Sequence, residues 1–203
     1  MGRGELVEAS DPERFLAVLR RTVEVLDAWG GPHAFFGTIG KSVYAESEPA
    51  EDVDVFLRED DVDGALDALL RAGFERSEDQ GEGWLRKAAA DGVLVDLIVR
   101  VRMGVRFDDD VAEHVRRASY RGIDLPVPSP EDLVVINACS AHPDTPDHWF
   151  IARELVSKAE LDWQRLVDRG RRLAPLRVAS LLLYCESDEV AVPDGTVAAL
   201  LES

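Results

Sequence analysis

Asp52-Val53-Asp54-Val55-Phe56-Leu57 is the stretch on which the reading of this chain turns. Alternation with period two puts Asp52, Asp54 and Phe56 on one face of a strand and Val53, Val55 and Leu57 on the other. Two carboxylates held side by side repel unless a proton or a cation intervenes, so the pattern points to a divalent metal. Composition limits what the pair says alone: 40 of 203 residues are Asp or Glu, and acid-x-acid arises by chance about eight times in such a chain. Asp61 and Asp63 read as a chance pair. They precede the amphipathic run Gly64-Ala65-Leu66-Asp67-Ala68-Leu69-Leu70, where acids favour the first turn of a helix.

A glycine turn upstream and a third acid downstream raise Asp52 and Asp54 above that background. Ala34-Phe35-Phe36 reads as a short strand that breaks into a small-residue loop, Gly37-Thr38-Ile39-Gly40-Lys41-Ser42. Such a loop can cradle phosphate, although taken in isolation it reads first as an ordinary strand-to-helix turn. Val93-Leu94-Val95-Asp96-Leu97-Ile98-Val99 is apolar on both faces except at Asp96, as expected of a central strand. Burying an ionised carboxylate there costs several kcal/mol unless it is paired or metal-bound. A salt bridge to Arg86, Lys87, Arg100 or Arg102 is one reading of Asp96 and a metal site is the other. Gly83-Trp84-Leu85-Arg86-Lys87, followed by Asp91-Gly92, predicts a hairpin that delivers Asp96 beside the Asp52 strand.

These residues resemble the nucleotidyltransferase superfamily, whose fold is shared with DNA polymerase beta, and in particular its small bacterial members. The resemblance rests on Gly37-Thr38, then Asp52-Val53-Asp54 on a strand, then a lone Asp96 on a later apolar strand, and covers about residues 33–101. It implies transfer of a nucleoside monophosphate from a nucleoside triphosphate, ATP or another, to a hydroxyl acceptor. It also implies two Mg2+ ions held by Asp52, Asp54 and Asp96. Gly37, Thr38, Lys41 and Ser42 would bind the phosphates. Lys41 has a competing reading as a solvated surface lysine. A non-catalytic nucleotide sensor or antitoxin-like partner-binding module is the alternative within the same fold. Structural calcium is disfavoured, because calcium loops gather their ligands locally and these acids are spread over more than forty residues.

The rest of the chain bounds the partners. A net charge of −17 disfavours a long nucleic acid, whose binding draws on Lys and Arg, although Arg100, Arg102, Arg106, Arg116, Arg117 and Arg121 enrich the middle of the chain. If the Asp96 strand continues, Arg100 and Arg102 share its face and reach a triphosphate; otherwise they balance surface acids. No apolar run is long enough to span a bilayer, and Cys139 and Cys185 read as reduced core residues, so a cytoplasmic location and no membrane partner are expected. The acceptor is a small molecule or a protein side chain.

The predicted fold class is α+β: a mixed sheet with flanking helices over residues 1–122, then a helical bundle over 123–203. Ser10-Asp11-Pro12-Glu13 starts a helix that Gly30-Gly31 ends. Asp108 to Tyr120 reads as a further helix. Leu125-Pro126-Val127-Pro128-Ser129-Pro130 reads as an irregular joint, and Ser129-Pro130-Glu131-Asp132 as the next helix start. Leu133–Ala141, Trp149–Ser157, Leu161–Leu173, Leu176–Cys185 and a short Val197–Leu201 segment carry helical periodicity. Small bacterial members of the family carry a lysine where this chain has Asn137, so no lysine role is transferred. His142 and His148 flank Pro143-Asp144-Thr145-Pro146 and read either as acceptor-pocket residues or as helix-end residues whose positive charge complements a helix C-terminus.

Overall fold

The computed structural model describes residues 11–45, 49–77 and 83–202. Ser10 lies outside them. Helix α1 (Pro12–Trp29) starts where the Asp11 carboxylate accepts from the Arg14 N–H, with proline at the first helical position, and stops at left-handed Gly30. Strand β1 (His33–Phe35) leads into helix α2 (Gly37–Tyr44), then strand β2 (Val53–Leu57) and helix α3 (Val62–Arg71). Asp61 and Asp63 stand at the start of α3, as the sequence indicated. A short β3 (Glu75–Arg76) precedes β4 (Leu85–Ala90) and β5 (Val93–Ile98). The turn between β4 and β5 is Asp91-Gly92, both left-handed, the conformation that matches strand twist in a two-residue hairpin.

The five strands form one sheet in the order β1-β2-β5-β4-β3, with β2 and β5 parallel and every other pair antiparallel. One face carries Val53, Val55, Leu57, Val95, Leu97 and Val99, buried against α1 and α3. By alternation Asp54, Phe56, Asp96 and Ile98 occupy the other face. There Phe56 and Ile98 pack into a second apolar cluster with α5 (Pro130–Ser140), α6 (Asp147–Lys158), α7 (Trp163–Leu173) and α8 (Pro175–Ser187). A last helix, α9 (Thr196–Leu201), follows. The helical layer therefore covers the face that presents the carboxylates.

Four readings of the sequence are corrected. Gly37–Ser42 is not a loop but the body of α2. Its Gly40 serves packing, since a Cβ there would lie 3.1 Å from the Phe35 carbonyl and 3.5 Å from the Leu133 side chain. Asp108–Tyr120 is not one helix: α4 (Asp109–His114) is capped by Asp108 and gives way at extended Val115 to strand β6 (Arg116–Tyr120). The supposed proline joint contains strand β7 (Ile123–Val127), which pairs with β6 through a second left-handed turn, Arg121-Gly122. Pro126 is tolerated because a two-stranded ribbon leaves one edge of each strand unpaired. Finally, β5 ends at Ile98; the backbone bends after it, and Arg100 and Arg102 enter a turn rather than extending the strand.

Candidate active site

Parallel pairing of β2 with β5 sets Asp54 opposite Asp96 in register. Asp52 immediately precedes β2, two residues from Asp54 and on the same face. Ligand oxygens of all three carboxylates lie within 4.8 Å of one another. This is the convergence that the strand patterns predicted. Burial, reinforced by the charges of Asp52 and Asp96, pushes the Asp54 carboxyl up to about 7, with Lys87 opposing. Asp52 is also raised, by burial first and the Asp96 charge second. One lysine against three acids leaves the cluster short of positive charge. A divalent oxygen-seeking cation supplies what the donor set lacks, so the residues fit the metal that the fold family implies.

Lys87 is the resident counterion. Its Nζ donates to both Asp96 oxygens, at 2.9 and 2.7 Å, across the β4–β5 hairpin. The salt bridge and the metal site were alternatives for Asp96 in the sequence; the structure makes the salt bridge beside three carboxylates that could hold a metal ion. Its signal was present in the sequence, because a two-residue Asp91-Gly92 turn pairs Ala90 with Val93 and, three steps out, Lys87 with Asp96.

Gly37 fixes the position of Asp54. It opens α2 at φ +56°, and a Cβ there would fall 2.1 Å from Asp54 Oδ2. The Phe36 N–H donates to the Asp54 carbonyl at 3.1 Å, so the start of the helix is tied to the strand that carries the acid. Gly37→Ala is expected to displace the Asp54 carboxylate and weaken divalent-metal affinity by about tenfold or more, a loss typical of groups that orient metal ligands. Isothermal calorimetry with Mn2+ measures it; unchanged affinity would show that the close approach is incidental.

Of the other residues proposed for phosphate contact, Lys41 and Ser42 are already engaged. Thr38 is the second residue of α2, and its carbonyl accepts from the Ser42 hydroxyl at 2.7 Å. Lys41 Nζ lies 2.6 Å from Glu154 Oε2 and ties α2 to α6. Asn137 and His148, considered separately in the sequence, form a pair. Asn137 Nδ2 donates to the Leu133 carbonyl at 2.8 Å, which leaves Oδ1, 2.8 Å from His148 Nδ1, as an acceptor. His148 Nδ1 therefore carries the proton, and Nε2 is the open acceptor. His148 stands in the first turn of α6, so the helix-C-terminus reading does not hold for it. Burial lowers its pKa, Asp147 works the other way and Arg102 lowers it further. His142 lies just beyond α5, 3.0 Å from Asp144. Cys139 and Cys185 are buried free thiols, pushed up to about 11 by burial.

Among the described residues no helix is long and apolar enough to cross a membrane. A comparison with curated proteins gives no match. Among solved structures, ANT(2″)-Ia in complex with adenylyl-2″-tobramycin is similar over 87% of this chain and 99% of its own, at 12% identity and a TM-score of 0.53. The solution structure of the antibiotic-resistance factor ANT(2″)-Ia is similar over 87% and 93%, at 9% identity and a TM-score of 0.51. A putative nucleotidyltransferase from Thermotoga maritima aligns over 57% of this chain and 78% of its own, at 17% identity and a TM-score of 0.45. At such identities the ANT(2″)-Ia likeness shows a shared fold. The family model described as uncharacterised nucleotidyltransferase matches residues 44–187, a span that takes in Asp52, Asp54 and Asp96. With a match over well more than half its length, the chain belongs to that family of nucleotidyltransferases.

Proposed function

We propose that the protein transfers a nucleoside monophosphate from a nucleoside triphosphate to an acceptor hydroxyl, using Mg2+ held by Asp52, Asp54 and Asp96. The observation that carries this reading is the convergence of three carboxylates from β2 and β5 within 4.8 Å, with Asp52 and Asp54 held above the ordinary carboxylate range by burial and mutual repulsion. Two ions about 3.5–4 Å apart would activate the attacking oxygen and stabilise the leaving group. Asp52 and Asp54 would hold both ions, and Asp96 would face the acceptor and take its proton. The acceptor oxygen bonds to the α-phosphorus, the bond to the bridging oxygen breaks, and pyrophosphate leaves. The backbone N–H groups that open α2 at Gly37 and Thr38 suit the terminal phosphates. Lys41 and Ser42 stand one turn further in, where Lys41 would have to exchange Glu154 for phosphate.

A non-catalytic nucleotide-binding role is the second reading, favoured by one observation: Lys87 already neutralises Asp96 as a built-in cation. Calorimetry with non-hydrolysable triphosphates, with and without Mg2+, separates the readings when combined with a pyrophosphate-release assay. The adenylyl group in the ANT(2″)-Ia complex makes ATP the first donor to try. Mg2+-dependent binding of a triphosphate, lost in Asp52→Asn, is the expected result. Binding that ignores both Mg2+ and Asp52 would leave the two-metal reading without support.

A further inference from the structure

The turn that follows β5 closes tightly. Val101 N–H donates to the Val105 carbonyl at 2.9 Å and Gly104 N–H to the Val101 carbonyl at 3.1 Å, while Arg100 and Arg106 pair across its neck. Met103 and Gly104 are both left-handed, at φ +61° and +79°, and Met103 is 54% exposed. Residues 100–104 and Trp84 line a cavity of about 400 Å3, and among the described residues its wall includes no carboxylate. Arg100 and Arg102 are exposed and form no ion pair among the described residues. Their neighbours differ: Arg58 pairs with Asp109, Arg86 with Asp63 and Arg106 with Glu59. In a chain of net charge −17, two arginines that line one cavity and have no carboxylate partner among the described residues suit an external anion.

The position ties this cavity to the candidate active site. Arg100 is four residues beyond Asp96, so their backbones are at most roughly 13 Å apart. The turn packs against α5, and Arg102 lies within electrostatic reach of His148 on α6. His148, with Nδ1–H held by Asn137, leaves Nε2 as a hydrogen-bond acceptor for a hydroxyl.

Resting on the nucleotidyl-transfer reading above, we infer that this cavity is an acceptor subsite: Arg100 and Arg102 bind a phosphate or carboxylate group on a hydroxyl-bearing acceptor. The acceptor is then an anionic hydroxyl compound and not a polycation. The test titrates inorganic phosphate, glucose 6-phosphate and glucosamine into the full chain. The Trp84 indole N–H and arginine Nε–H resonances are followed by NMR, in the wild type and in Arg100→Gln/Arg102→Gln. Both phosphates are expected to shift these resonances saturably, with affinity at least tenfold weaker in the double variant, while glucosamine does nothing. Calorimetry of a non-hydrolysable triphosphate with Mg2+ on the same variant is expected to match the wild type. The proposal is overturned if phosphate and glucose 6-phosphate leave the resonances unmoved, if glucosamine binds as well as they do, or if the double variant loses triphosphate instead. Failure of the nucleotidyl-transfer reading is recognisable separately, as triphosphate binding absent from wild type and variant alike.

Discussion

Asp54→Asn is expected to lower Mg2+-dependent triphosphate binding and turnover by more than about 100-fold and, without metal, to make the protein more stable. Groups that merely orient metal ligands cost about 10–100-fold when lost, so removing a ligand sits above that range. The stabilisation follows from the same electrostatics. Asp54 titrates at about 7 in the folded protein, above the ordinary carboxylate value, because of burial first and the Asp52 and Asp96 charges second. A carboxyl whose folded pKa is raised binds more protons folded than unfolded. Its protonated form therefore contributes stability that is fully present below about pH 4 and is lost as pH rises through 7. Asparagine mimics the protonated form. The stability difference between Asp54→Asn and wild type should be near zero at pH 4 and reach on the order of 2–4 kcal/mol at pH 8. Saturating Mg2+ should narrow or reverse it by stabilising only the wild type. Urea titrations at the two pH values, with and without Mg2+, read this out. A pH-independent difference would mean that Asp54 is not held in a strained ionised state.

What could be read from the sequence divides by the range of the interaction. The strand around Asp52 and Asp54, the Asp91-Gly92 hairpin and the buried position of Asp96 were legible because alternation and turn chemistry are local. The meeting of the three carboxylates followed from the strand patterns and the hairpin and was reinforced by the family resemblance, whereas the parallel register that sets Asp54 opposite Asp96 joins segments forty residues apart and is not a local signal. The segment Gly37–Ser42 looked like a loop because it is rich in small residues. It is a helix because Gly40 packs against Leu133 and the Phe35 carbonyl, contacts that no local pattern contains. Asp108 to Tyr120 reads as one helix only as long as Arg121-Gly122 goes unrecognised as a second two-residue hairpin turn, which pairs Arg116–Tyr120 with Ile123–Val127. The Asn137–His148 pair joins the last turn of α5 to the first turn of α6, and neither residue is informative without the other.

Arg169→Ala is expected to be among the most destabilising substitutions outside the candidate site. Arg169 is 2% exposed, and it joins three elements that local sequence does not connect. Its Nη1 reaches Asp108 at 2.8 Å and Asp110 at 3.1 Å, at the start of α4, and its Nε lies 2.8 Å from Asp132 Oδ1 in the first turn of α5. Arg165, one turn earlier on α7, pairs with Asp110 and Asp132, each at 2.5 Å, and Arg172 also reaches Asp110. Breaking a buried ion pair from one side leaves an uncompensated charge, at a cost of about 3–5 kcal/mol. The Asp132 side chain is fully buried but keeps Arg165, which places the cost near 3 kcal/mol. A urea midpoint shift with an unchanged slope measures it, and a loss below about 1 kcal/mol would mean that Arg165 alone carries the network. The pH dependence has the opposite sign to that of Asp54. Burial opposes ionisation of Asp110, but hydrogen bonds from Arg165 and Arg172 and the Arg169 charge bring it down to about 2. A depressed carboxyl contributes stability above its ordinary pKa near 4 and loses it as pH falls through 2, so the Arg169→Ala deficit should shrink in that acid window. The two acidic clusters thus pull the stability curve in opposite directions, one relieved by protons and the other dissolved by them.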